Sequence, residues 1–194
     1  MQNTRDQIIQ AASRLIHLGG FNSTSLDSIL RESGVGKGGF YHYFSSKEEL
    51  GLEILKRNFE AFSESVIDKA FRSPKPPLQQ VFDFLDLALE GMRSRSCAGG
   101  CPLGNLALEM SDSHEGFRTK LQEAFEIWRH RIEDALSMKV DTQRDRSYAR
   151  RLSYLIIASV EGGIMLARLH RDIGVLEICT QELKRYLRSL AEPD

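Results

Sequence analysis

Charge of one sign is what this chain most plainly lacks: 26 Lys and Arg stand against 27 Asp and Glu, a net charge of -1. A chain-wide basic field for nucleic acid is therefore excluded, although a small local basic face is not. Cysteine is scarce, three in 194 residues, and the polar opening Gln2-Asn3-Thr4 has no apolar targeting core. Both features point to a reducing cytoplasm. The histidines stand apart at 17, 42, 114, 130 and 170, with no HExxH and no CxxC. Gly36-Lys37-Gly38-Gly39 lacks the preceding strand and the spacing of a phosphate loop. No catalytic constellation, metal set or cofactor cradle emerges, so an enzyme is not expected. Long apolar runs are missing too. The longest, Leu152 to Ala167, contains Glu161 and is short for a bilayer, so it reads as a buried helix and no membrane partner is expected. Strand-type alternation and repeats are absent. The 41% hydrophobic share still suffices for a core. The fold class that remains is all-α, with about nine helices.

Helical periodicity and breakers set out the organisation. Ile8, Ala11, Ala12, Leu15 and Ile16 make one stripe over Thr4 to Leu18, with Thr4 and Gln7 in the relation of a capping box, and Gly19-Gly20 stops it. From Lys47 a longer helix runs through Leu50, Ile54, Leu55, Phe59, Phe62 and Val66. Pro74, Pro76 and Pro77 end it, the clearest break in the chain. Helical spacing resumes over Leu78 to Met92 and from Pro102 to Met110. It continues from Ser113 to about Met138, then from Tyr148 to His170 beyond a polar connector at Asp141 to Asp145, and finally along Leu176, Cys179, Leu183, Leu187 and Leu190. Arg129-His130-Arg131 reads as a solvated helix face.

The chain is organised around Thr24 to Leu50, TSLDSILRESGVGKGGFYHYFSSKEEL. Ser25 caps a short helix with Leu26, Ile29 and Leu30 on one side, and Gly34 suits a left-handed helix end. A second short helix carries Lys37, Phe40, Tyr41, His42, Tyr43 and Phe44. Ser46 and Glu49 form a capping box for a third. Two short helices across a glycine turn are a helix-turn-helix candidate. Phe21, Phe40 and Phe44 are expected in a small core shared with Leu26 and Ile29.

This stretch resembles the DNA-binding signature of the tetracycline-repressor (TetR) family of bacterial regulators. The likeness rests on Thr24-Ser25, Ile29, Gly34-Val35, Lys37-Gly38, Phe40 to Phe44 and Ser46 to Leu50, and it extends upstream from Ile8 to Phe21. Gly36 departs from the Ser or Thr cap common in relatives. The resemblance implies a three-helix DNA-binding head (1–47) on a larger helical ligand-binding and dimerisation body (48–194). It implies a homodimer on a double-stranded DNA operator, most simply a repressor released from a palindromic site by a small molecule of unknown identity. Carried over position by position, the DNA-contact residues are Thr24, Ser25, Lys37, Gly38, Gly39, Tyr41, His42 and Lys47. Gly39 is expected to let the backbone approach DNA closely.

In the body, a pocket is expected between the middle helices, lined by Phe82, Leu85, Leu89, Met92, Cys101, Leu103, Leu106, Met110, Phe117, Leu121, Phe125, Trp128 and Ser159. The bland alternative is ordinary core. Leu152, Ile156, Val160, Gly163 and Ile164, with Leu176, Leu183 and Leu187, read as a four-helix dimer interface, or else as stripes packed within one chain. Gly162 and Gly163 suggest close helix approach, and Glu161 needs a partner, across the dimer or on a ligand. Cys97 and Cys101 flank a glycine-rich loop and raise a second possibility, a thiol-based redox or electrophile sensor acting on the same DNA binding. In that reading Cys101 is activated by the helix that starts at Pro102. A protein-binding helical adaptor is the remaining alternative, separable by the absence of duplex binding.

Overall fold

Asn3, not Thr4, opens the first helix. Its side chain accepts the Arg5 N–H at 3.2 Å, and its carbonyl takes the Gln7 N–H at 3.1 Å. A computed structural model describes residues 3–137 and 143–190, with the backbone alone at 143–146. Every regular element among the described residues is helical. In chain order they are α1 (Thr4–Gly19), α2 (Leu26–Ser33), α3 (Lys37–Tyr43), α4 (Lys47–Phe62), a π-helical turn at Ser63–Asp68, α5 (Lys69–Phe71), α6 (Pro77–Arg93), α7 (Pro102–Met110), α8 (Glu115–Ser137), α9 (Gln143–His170) and α10 (Ile173–Ser189). The backbone stays right-handed at Phe62, Asp68 and Lys69, so α4, the π turn and α5 follow one another directly. Counted so, the described residues make nine helical rods. Met138, the expected end of the preceding helix, and Asp141, the start of the expected connector, lie outside the described residues, and α9 is already under way at Gln143, inside the stretch expected to be a connector.

The local signals act where they stand. Ser25 Oγ accepts the Ser28 N–H at 3.1 Å and starts α2, and Gly34 ends it left-handed at φ 68°. Ser46 Oγ accepts the Glu49 N–H at 3.1 Å. The reciprocal arm reaches one residue further back: Glu49 Oε2 accepts from Ser45 N at 2.7 Å and Ser45 Oγ at 2.6 Å. Ser45 thereby holds the Glu49 carboxyl below its ordinary pKa. Pro77 begins α6, and the buried Gln80 amide donates to the Ser73 and Lys75 carbonyls at 2.9 and 3.0 Å, closing the proline turn.

The chain forms two compact units. The first comprises the residues up to Glu60 together with Pro102–Glu123. In it α1 packs on α2 and α3, burying Ile8, Ala12, Ile16, Ile29, Phe40 and Phe44. Phe21 does more than plug that core: its ring meets the edge of Phe117 at 5.1 Å. Gly51 makes room for the pair, since a Cβ there would overlap Phe21 and stand 2.7 Å from Phe117.

The second unit comprises Ala61–Cys101 and the residues from Ala124 onward. Trp128 is its aromatic centre, with Phe62, Phe125 and Phe84 centroids at 5.1, 5.4 and 5.6 Å. α10 packs on α9 and α6, and Arg93–Glu177 (2.6 Å) and Lys184–Asp86 (2.5 Å) bridge α6 to α10. Gly163 lets α9 and α10 close, because a Cβ there would lie 2.7 Å from Leu176 Cδ1. Ser147–His170 is long and apolar enough to cross a membrane by composition alone, a test that the core helix of a soluble protein also passes.

Arg129 departs from the sequence reading. It is 3% exposed, not solvated: Nε meets Glu126 Oε2 at 2.9 Å, Nη1 meets Glu133, and the guanidinium lies 5.2 Å from the Tyr154 ring centroid. The Glu126 hydrogen bond, working against the desolvation that burial brings, raises its pKa. Salt bridges at helical spacing let both carboxylates reach one buried cation.

Candidate functional site

α3 turns one face outward. Lys37, Gly38, Tyr41 and His42 are exposed, at spacings of one and four that share a helix side, while Phe40 points into the core. Tyr41 is 54% exposed, its ring braced edge-on by Phe40 at 5.3 Å, and His42 is braced by Tyr43 at 4.7 Å. An exposed lysine, a phenol and an imidazole on one short helix supply hydrogen-bond donors for phosphates and base edges. Gly38 has open space around it, whereas Gly39 is set by packing: a Cβ there would lie 2.8 Å from Val35 Cγ1. The turn before α3 thus gives Gly39 a reason within the fold, beside the expected approach to DNA.

Two other expected contacts have employment inside the protein. Thr24 is buried, and its Oγ1 donates to the Gly20 carbonyl at 2.7 Å. Lys47 Nζ donates to the Phe21 and Thr24 carbonyls at 3.0 and 3.1 Å and stands 4.4 Å from the Phe21 ring centroid. From the other side Glu109, on α7, accepts Phe21 N–H at 2.8 Å and Asn22 N–H at 2.7 Å. Gly20, at φ 90°, leaves 3.2 Å between a would-be Cβ and that carboxylate. The α1–α2 turn is thus clamped by one anion and one cation, and sequence reasoning missed the anion. Glu109 stands far along the chain, and no local pattern marks it.

In the second unit, Cys97 and Cys101 are not joined in a disulfide. The loop that carries them is wound left-handed at Ser96, Cys97, Gly99 and Gly100, with φ from 50° to 76°. Cys97 is 5% exposed, and the Cys101 thiol hydrogen-bonds to Glu161. A buried thiol and one set beside an acid are poor candidates for a reactive thiolate, contrary to the activated Cys101 of the sensor reading. Burial pushes the Glu161 carboxyl up, and the Cys101 bond only partly offsets it.

Family models match both parts of the chain: residues 8–54 fit the bacterial regulatory proteins of the tetR family, and residues 77–182 fit the C-terminal domain of LmrA/YxaF-like transcriptional regulators. The chain belongs to the TetR family. Among its relatives, the HTH-type transcriptional regulator LmrA of Bacillus subtilis is 31% identical over 85% of this chain and 86% of its own length. The HTH-type regulator in the lacX 3' region of Lactococcus lactis is 29% identical over 99% and 97%. Among solved structures, a TetR regulator from Chloroflexus aurantiacus aligns with a TM-score of 0.82 at 29% identity, over 95% of this chain and 94% of that one. The regulatory protein TetR from Rhodobacter sphaeroides aligns at 0.81 and 28%, over 93% and 96%. The protein is accordingly a DNA-binding transcriptional regulator of the helix-turn-helix type.

TetR membership sharpens the body. Leu103, Leu106, Met110, Phe117 and Leu121, expected along a pocket, lie in the first unit, where Phe117 belongs to the head core with Phe21. Phe82, Leu85, Leu89, Met92, Cys101, Phe125, Trp128 and Ser159 lie in the second. The residues expected between subunits are buried within one protomer: Leu152, Ile156, Val160, Ile164, Leu176, Leu183 and Leu187, with Gly163 against Leu176 and Cys179. A stripe of alternating leucines and glycine serves an intrachain helix pair as well as an interchain one, so spacing alone could not choose. The large apolar and aromatic side chains that α9 and α10 leave exposed are Tyr148, Tyr154, Leu155, Met165, Leu169, Ile178 and Tyr186.

Proposed function

We propose that this TetR-family regulator is a ligand-responsive repressor. In this reading residues 1–47 read DNA, and residues 48–194 hold the dimer and the effector. The observation that carries it is the outward face of α3, where Lys37, Tyr41 and His42 are free to meet DNA while Phe40 and Phe44 lock the helix to the head. Ser25, exposed at the start of α2, joins them. Lys47 and Thr24 act one step back, by fixing the turn. Two heads on one dimer span half-sites about 34–36 Å apart on a palindromic operator. A small molecule that favours the dimer state with the wrong head spacing releases the DNA.

The exposed side of α9 and α10 supports the dimer. Leu155, Ala158, Gly162, Met165 and Leu169 recur at helical spacing along α9, and Gly162 has nothing within 4 Å of a would-be Cβ. A second copy of α9 can approach closely there.

Fluorescence anisotropy on the duplex upstream of the protein's own gene tests the reading. Tight binding with a steep salt dependence, weakened by Tyr41→Ala, is expected. Salt-independent binding, or none to any genomic fragment in a pull-down with sequencing, overturns it.

A further inference from the structure

Asn3, Ser25, Ser46 and Asp172 cap α1, α2, α4 and α10 with oxygen atoms that accept at any pH near neutrality. α8 is capped by an imidazole instead. The His114 carbonyl accepts the Arg118 N–H at 3.1 Å, and its Nδ1 accepts the Phe117 N–H at 3.3 Å. Nδ1 offers that lone pair only while the ring is neutral. The ring is held in place on two sides. Its edge meets the Phe117 ring at 5.1 Å, and Gly116 leaves 3.1 Å between a would-be Cβ and His114 Cε1. The His114 N–H is bonded to the Met110 carbonyl at 3.0 Å, which ties the cap to the end of α7. Phe117, whose amide is capped, is also the residue that enters the head core. It is fully buried, with its ring 5.1 Å from Phe21. Phe21 in turn is the residue whose backbone Lys47 and Glu109 grip between α1 and α2. Within the first unit a line of contacts therefore runs from His114 through Phe117 and Phe21 to the turn that seats the DNA-reading helices.

We propose that His114 is a positioning residue for DNA binding whose support is withdrawn by acid. Neutral, it caps α8 and seats Phe117 against Phe21; protonated, it lets go, and the head loses operator affinity. The inference goes beyond the repressor reading and needs only that the head binds DNA. Protonation places a hydrogen on Nδ1, so that two donors face each other and a positive charge sits at the positive end of the helix dipole. Among the charges around the ring, Glu48 of α4 works the other way, and Lys47 beside it on α4 opposes Glu48. Asp112 and Glu115 flank His114 along its own chain, and Glu109 of α7 is committed to Phe21 and Asn22. The principal partner of Glu48 is its own backbone N–H, and water screens its attraction to the ring. The capping bond, by contrast, is lost outright. A bond that only the neutral ring makes is complete above the imidazole range and disappears as pH falls through it.

The test compares the full-length parent with His114→Asn, whose amide oxygen caps at any pH. Anisotropy on the duplex upstream of the protein's own gene is followed from pH 8 to pH 5.5 at constant ionic strength. The two proteins should bind alike at pH 8, and the parent should be about threefold to tenfold the weaker at pH 5.5. Any pH dependence that His42 brings to the DNA face is common to both proteins and cancels in the ratio. Hydrogen exchange of the parent supplies a readout that needs no variant: the protection factor of the Phe117 amide should fall with pH over the same range. An affinity ratio that stays constant from pH 8 to pH 5.5 overturns the inference, and so does a Phe117 protection factor that does not follow pH. Should His114→Asn fail to fold, the Phe117 protection factor and the parent's own affinity must fall together in acid, and a parent in which they part company overturns the inference as well.

Discussion

Lys47 and Glu109 hold the two ends of one residue: the ammonium takes the Phe21 carbonyl at 3.0 Å, and the carboxylate takes the Phe21 N–H at 2.8 Å. Phe21 is thereby fixed in backbone as well as in ring, and with it the angle at which α1 hands over to α2. Glu109→Ala removes two charge-assisted hydrogen bonds and should cost about 2–4 kcal/mol of stability. It should also weaken operator binding about tenfold or more, because α2 and α3 lose their seat. Urea unfolding and anisotropy on the same preparation check both. Unchanged operator affinity would show that the clamp serves stability alone.

Lys47→Met separates a positioning lysine from a phosphate contact. Two carbonyls lose their donor, so both stability and affinity should fall, the former by about 1–2 kcal/mol. An affinity loss at unaltered melting temperature would return Lys47 to the DNA surface.

Tyr41 and Phe40 are neighbours with opposite duties. Tyr41→Ala should leave the melting temperature nearly unmoved and lower operator affinity about fivefold to tenfold, evenly across sequences if the phenol meets phosphate. Phe40→Ala, by emptying a fully buried site, should cost about 3–5 kcal/mol and abolish binding through unfolding. Calorimetry and anisotropy together read the difference.

The protomer surface and interior of α9–α10 are likewise separable. Leu169 and Ile178 are 72% and 63% exposed, so the double variant Leu169→Glu/Ile178→Glu should give folded monomers by sedimentation velocity. Leu183→Ala should instead lower stability by about 2–5 kcal/mol with the dimer mass intact. The reverse pattern would restore the original assignment of the leucine stripe to the subunit contact.

Burial lifts the Glu161 pKa above its ordinary 4.5. For a carboxyl whose folded pKa is raised, the favourable contribution is complete below the unfolded value and lost as pH rises through the folded one. Glu161→Gln should therefore melt with the parent in acid and above it at pH 8. Thermal melts across that range test the sign, and a constant difference would mean that ionisation of Glu161 does not reach stability.

Much of the head was legible because its signals are local. Ser25, Gly34 and Ser46 act on backbone groups within a few residues, and the periodicity of Phe40, Phe44 and Ile29 records which side of a short helix is dry. The same locality explains what was missed: Glu109 stands 88 residues from Phe21, and no pattern near either one marks the pair.

By itself, then, the sequence determined the helices, most of their caps and the outward face of α3, since helix formation and capping depend on residues three or four apart. Only the tertiary structure decided what lies across from each face. It sent Phe117 to the head, gave Arg129 its burial, turned the leucines of α9 and α10 inward, and brought Glu109 to Phe21 across 88 residues of chain. A hydrophobic stripe specifies that it must be covered, not by what; the burial of apolar surface is non-directional, and the partner is chosen by packing of the whole.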